Sequence, residues 1–121
     1  MKYLLMIYGN QSTWDSWTEA DYNAVVAAHS ALQEELVATG ELIGCEGLTT
    51  EEARTVRVVD GTPAVTDGPF TEAKEVLAGY YLVECDSLER ATEIAARIPE
   101  AQYDPVEVRR IMDRADIGME G

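Results

Sequence analysis

The side chains whose type and spacing single them out as able to move a proton or steady a charge fall into three groups. The first is His29, the only histidine in the chain. An imidazole titrates at about 6.5, which suits proton transfer near neutral pH. An equally simple reading is a core histidine donating to a backbone carbonyl. The second group is the segment Asp67-Gly68-Pro69-Phe70-Thr71-Glu72-Ala73-Lys74-Glu75, which holds the only lysine beyond residue 2 and the only phenylalanine. Asp67 could orient His29, or act as a base itself if burial raised its pKa. It could instead close an Asx-turn ahead of Gly68-Pro69. Lys74 could bind a substrate carboxylate or stabilise an oxyanion in a desolvated cleft. With Glu72 and Glu75 it could equally form an ion-pair network that fixes the loop. The third group lies on two strand-like runs. Tyr80 and Tyr81 are adjacent and must point to opposite faces, one under the helices and one toward an open face or cleft. Arg109 alternates with Val108 and shares a face with Glu107, so it is either a ligand contact or half of a salt bridge. His29 and Asp67 are thus the candidate proton-transfer pair. Lys74, Glu75, Tyr81 and Arg109 are the candidate ligand-binding set.

The elements that must position these groups follow from hydrophobic period and punctuation. Residues 2–8 are too uniformly apolar for a surface strand and read as a central one. Residues 9–17 read as a polar and aromatic loop carrying Trp14 and Trp17. Thr18 caps a long helix, with Asp21 as its capping-box partner. The apolar stripe of that helix is Tyr22, Val25, Val26, His29, Leu32 and Leu36, and Gly40 stops it. Residues 42–45 make a second strand. Two β-rich runs, 55–59 and 62–66, flank Asp60-Gly61, a dipeptide suited to a type I′ hairpin turn. Residues 79–84 form a strong strand, and Ser87 caps a second helix that ends at Pro99. A final strand runs from about 105 to 111. The order is β-α-β, hairpin, β-α-β: an α+β, ferredoxin-like split βαβ arrangement with an inserted β-hairpin. Two helices can cover only one face of its sheet, and a second copy of the chain is the simplest cover for the other.

Composition narrows the function classes. The 121 residues carry a net charge of −14, spread as −4, −5 and −5 over successive thirds, with no acidic tail or cluster. Such a surface repels nucleic-acid phosphates and anionic membranes. No apolar run approaches the ~20 residues of a membrane span, and the opening run is too short for a signal peptide. Cys45 and Cys85 are forty positions apart, fall in apolar runs and have no C-x-x-C spacing, so they read as buried reduced thiols of a cytoplasmic protein. No metal signature, phosphate-cradling glycine loop, G-x-S-x-G or H-E-x-x-H occurs, and no cofactor is called for. One domain spanning residues 1–121 is expected.

The stretch 67–75, followed by Gly79-Tyr80-Tyr81, closely resembles the signature of the YCII-related family, in the branch named for its Asp-Gly-Pro-Phe motif. That branch typically reads Asp-Gly-Pro-Phe-Ala-Glu-Thr-Lys-Glu and then a Gly-Gly-aromatic strand. The opening aromatic strand, the long helix ending in glycine and Glu107-Val108-Arg109 agree as well. The departures are Thr71 and Ala73 where alanine and threonine are usual, Ala78 for the first strand glycine, and Arg110 where proline often follows. The resemblance implies a dimeric α/β barrel, with the open sheet faces of two ferredoxin-like subunits meeting and clefts beside the sheet. Relatives in the wider superfamily include muconolactone isomerase-like proteins and a dehydrochlorinase of a chlorinated hydroxyquinol, and a histidine–aspartate dyad has been proposed for the short YCII proteins. Genes of the Asp-Gly-Pro-Phe branch often neighbour those of extracytoplasmic-function sigma factors. The expectation is a homodimer with a small-molecule cleft that performs cofactor-free isomerase or lyase chemistry. The alternatives are a ligand-binding accessory of transcriptional regulation and a purely structural dimer module.

Overall fold

The computed structural model describes residues 1–69 and 75–118. Strand β1 (Lys2–Gly9) places Tyr3, Leu5 and Ile7 in the core and leaves the alternate residues half-buried. A short helix, α1 (Gln11–Ser16), follows where the sequence suggested only loop. The Asn10 side chain accepts from the Thr13 N–H at 2.8 Å and so caps it. It buries no residue, so it left no apolar period to read. Helix α2 (Glu19–Thr39) opens on a reciprocal capping box between Thr18 and Asp21. It ends at Gly40, whose φ of +79° is the left-handed conformation that glycine adopts at least cost.

Strand β2 (Leu42–Gly47) leads to the hairpin strands β3 (Arg54–Val59) and β4 (Thr62–Asp67), which pair with each other in a separate two-stranded sheet. Asp60 and Gly61 both have positive φ, 51° and 78°, as a type I′ turn requires. Strand β5 (Val76–Glu84) starts three residues earlier than its sequence pattern suggested. Helix α3 (Leu88–Ala96), the 3-10 helix Pro99–Gln102 and strand β6 (Val106–Arg110) complete the order. The main sheet is antiparallel throughout, in the order β2-β5-β1-β6. Taken without the hairpin, this is the ferredoxin-like strand order expected for a split βαβ chain.

The helices lie on one face of this sheet. Leu5, Leu36, Val83, Ala91, Ile94 and Ile98 are fully buried between the layers, with Tyr3, Leu32 and Tyr81 close behind. The register sets Leu4 opposite Leu82 and Arg109, and Met6 opposite Tyr80 and Glu107, on the other face. Among the described residues no helix covers that face, and Leu4, Met6, Tyr8, Tyr80 and Leu82 stay partly exposed. Among the described residues no helix is long and apolar enough to cross a membrane, and no three metal-ligating side chains converge. Both thiols are free, Cys85 buried and Cys45 half-buried.

Candidate functional site

Helix α2 carries His29 on the edge of its buried stripe. Val25, Leu32 and Leu36 of that stripe face the core, whereas Tyr22 and Val26 are exposed. The stripe is therefore narrower than its spacing implied. Tyr22 packs edge-on against Trp17 with ring centroids 5.0 Å apart, and Val26 opens onto a cleft. That cleft, about 410 Å³, lies where α2 meets the β2–β5 edge of the sheet, and His29, Gln33, Tyr81 and Glu100 share it. Cys45 and Glu46 of β2 and Ala78 and Gly79 of β5 form the opposite wall.

His29 is held from both sides. Its Nδ1 lies 2.7 Å from the Tyr81 hydroxyl. Its Nε2 lies 2.6 Å from one Glu100 carboxylate oxygen and 2.9 Å from the other. Hydrogen-bond geometry is satisfied with Oε2, so Oε1 is buried with no donor aligned on it. The imidazole and the Glu100 carboxylate each keep 19% of their side-chain surface. Tyr81 is 2% exposed; its hydroxyl also accepts from Gln33 Nε2 at 3.3 Å, and its ring stacks on the imidazole. Burial pushes the Tyr81 phenol above its ordinary pKa, and the Glu100 charge acts in the same direction. The neighbouring Cys45 thiol is likewise pushed up by burial.

A carboxylate can only accept hydrogen bonds, so the nitrogen facing Glu100 carries the proton. In the neutral imidazole Nδ1 is then the acceptor, and the Tyr81 hydroxyl donates to it. Four side chains thus form one directed chain, Gln33 to Tyr81 to His29 to Glu100. The local reasons are plain. Pro99 opens the 3-10 helix immediately after the buried Ile98, and that turn carries Glu100 back toward α2. Gly79 lets β2 approach β5: a Cβ there would stand 2.8 Å from the Glu46 carbonyl oxygen, which real contacts do not show.

The expected pairing of His29 with Asp67 does not form within the chain, because both imidazole nitrogens are engaged by Tyr81 and Glu100. Asp67 sits at the open end of the β3–β4 hairpin, 94% exposed at its side chain and 3.5 Å from Arg54 across the ladder. It lines a different recess with Arg54, Glu52 and Gly68. The base of the hairpin is closed by other groups: Gly68 N–H donates to the Ala53 carbonyl at 2.6 Å, and the Thr55 hydroxyl donates to the Gly68 carbonyl at 3.0 Å. Lys74, with Phe70 and Glu72, lies outside the described residues. Glu75 is half-buried just before β5 and is not part of the cleft wall. Arg109 is on the open sheet face rather than in the cleft, and its neighbour Glu107 accepts from the Tyr8 hydroxyl at 3.1 Å. Of the named candidates, His29 and Tyr81 are brought together. Glu100 and Gln33 were not anticipated. Gln33 follows His29 by one helical turn, a spacing that was legible. Glu100, 71 positions from His29, had no local signal.

Fold and cleft together define a ferredoxin-like α+β protein with an imidazole-centred polar network at the edge of its sheet. The chain matches the YCII-related domain over residues 1–115 and belongs to that family. It is also 35% identical over 102 residues, 84% of this chain and 82% of the relative, to an uncharacterized protein of Rhizobium meliloti (strain 1021).

Proposed function

We propose that the cleft beside α2 binds a small polar molecule and performs cofactor-free proton transfer on it, as an isomerase or lyase would. The observation that supports this is the engagement of His29 by a carboxylate on one nitrogen and a buried phenol on the other, at the wall of a cavity. A carboxylate behind an imidazole stabilises the imidazolium formed when a proton is taken up, which is the arrangement a general base needs. Glu46 and Glu100 both border the cavity, so an uncharged or cationic molecule fits its electrostatics better than a free anion. Two copies of the chain are proposed to meet through the open sheet face, with Leu4, Met6, Tyr80 and Leu82 at the centre of the contact and the acidic helical side left outward.

A thermal-shift screen of small metabolites tests the reading on the wild type beside His29→Ala and Asp67→Asn. A binder that stabilises the wild type and Asp67→Asn but not His29→Ala is the expected result. A binder that stabilises all three equally places neither residue in the site. Its conversion is then followed by proton NMR in deuterated buffer, where site-specific deuterium incorporation marks the proton that is moved. No incorporation and no conversion for any binder would leave the cleft a ligand-binding module without catalysis.

A further inference from the structure

The polar network has a direction, and the direction decides which atom meets the bound molecule. Neither nitrogen of His29 has a free position: Nε2 faces Glu100 and Nδ1 faces the Tyr81 hydroxyl. A phenolic oxygen offers one donor and two acceptor positions. At Tyr81 the donor is used on His29 and one acceptor on Gln33, which leaves one lone pair on the oxygen, in a residue that borders the cavity. We propose that the Tyr81 hydroxyl is the group that exchanges a proton with the bound molecule, with His29 acting behind it and Glu100 and Gln33 positioning the pair. This deepens the acid/base reading above and rests on it.

The step balances without a cofactor. In the base direction, an acidic C–H or O–H of the bound molecule gives its proton to Tyr81 Oη. The phenolic proton passes at the same time to His29 Nδ1. The products are the conjugate base of the bound molecule, a neutral tyrosine that donates to it, and an imidazolium paired with Glu100. The acid direction is the reverse. Protonation of His29 also turns the hydroxyl outward, because both imidazole nitrogens then donate and the phenolic O–H is released toward the cavity. Burial, which favours the neutral phenol, keeps the relay loaded without demanding a free tyrosinate.

Two measurements on the ligand-free protein test this, so they succeed or fail independently of any screen for binders. First, His29 is the only histidine, so its two ring nitrogens are resolved without ambiguity in a long-range proton–nitrogen correlation spectrum of ¹⁵N-labelled protein. The expected spectrum of the neutral imidazole shows a protonated Nε2 and an unprotonated, hydrogen-bonded Nδ1. Tyr81→Phe should move Nδ1 toward the value of a free acceptor, whereas Glu100→Gln should mix the two tautomers. A protonated Nδ1 in the neutral wild type, or an Nδ1 unchanged by Tyr81→Phe, overturns the relay. Second, N-acetylimidazole probes the hydroxyl itself: the acetyl group moves to the phenolic oxygen and imidazole leaves with the proton. Peptide mass mapping should find Tyr81 acetylated in the native protein despite its burial. Its rate relative to the exposed Tyr22 should fall at least fivefold in both His29→Ala and Glu100→Gln. Tyr81 left unmodified while Tyr22 and Tyr103, both exposed, react, or modified equally in all three proteins, overturns the assignment of its hydroxyl as the proton-exchanging group.

Discussion

Glu41 and Arg90 join the end of α2 to α3 across 49 positions of sequence, and removing the carboxylate charge gives the sharpest test of the electrostatics. Arg90 donates to both carboxylate oxygens, Nε to Oε2 at 2.9 Å and Nη2 to Oε1 at 2.7 Å. The Thr39 hydroxyl adds a third bond at 2.8 Å. The Arg90 hydrogen bond, more than any other contact, holds the Glu41 carboxyl at about 2, against an ordinary 4.5. Each tenfold change in proton affinity is worth about 1.4 kcal/mol, so the full displacement corresponds to at most about 3 kcal/mol. The two side chains retain 30% and 16% of their surface, and solvent screening brings the expectation to about 1–2 kcal/mol. The folded pKa is below the unfolded one. The contribution is therefore complete above the unfolded value and fades as pH falls from about 5 toward 2. Urea unfolding followed by circular dichroism should show Glu41→Gln less stable than the wild type by about 1–2 kcal/mol at pH 7. At pH 2.5 most of that gap should be gone. A gap of the same size at both pH values would show that the loss comes from packing or capping and refute the ion-pair argument. Arg97→Met serves as a control, because its partner Glu35 is exposed and the variant should unfold with the wild type.

Other substitutions test the elements that shape the site. Gly79→Ala places a methyl group 2.8 Å from the Glu46 carbonyl oxygen and should cost about 1–3 kcal/mol in urea unfolding, whereas Gly44→Ala, with open space at its Cβ, should unfold within about 0.5 kcal/mol of the wild type. Thr18→Ala removes the hydroxyl that accepts the Asp21 N–H at 3.1 Å and should lower stability by about 1 kcal/mol, with amide exchange quickening in the first turn of α2. Ile94→Ala empties a fully buried position between α3 and the sheet and should cost about 2–5 kcal/mol. Leu82→Glu places a charge on the open sheet face; if two copies meet there, sedimentation velocity should show a monomer at concentrations where the wild type is a dimer.

Local chemistry made most of the fold legible. Asp60-Gly61 demanded a turn with two positive φ angles, Thr18 with Asp21 demanded a helix start, and Gly40 demanded its end, because each depends only on neighbours within a turn of chain. The ferredoxin-like order followed from counting strands and helices. Helix α1 escaped notice because a six-residue helix that buries nothing has no periodicity, only the Asn10 cap. His29 and Tyr81 were nameable as candidates from residue type and strand parity. Their partnership was not, since it depends on which face of β5 turns under α2. Glu100 was invisible for a stronger reason: nothing in its neighbours distinguishes it from the other acidic residues of a chain with a net charge of −14.

The sequence by itself determined the alternation of helices and strands, the turn at the hairpin tip and membership of the YCII-related family. It also set a single imidazole among 23 carboxylates and six phenols. Only the tertiary structure decided which of those carboxylates faces the imidazole. Asp67 is carried outward on a two-stranded hairpin where water solvates it. Glu100 is carried inward by a turn that Pro99 starts and the buried Ile98 anchors. Spacing along the chain specifies local conformation, whereas a contact between residues 29 and 100 exists only once the core between α2, α3 and the sheet has closed.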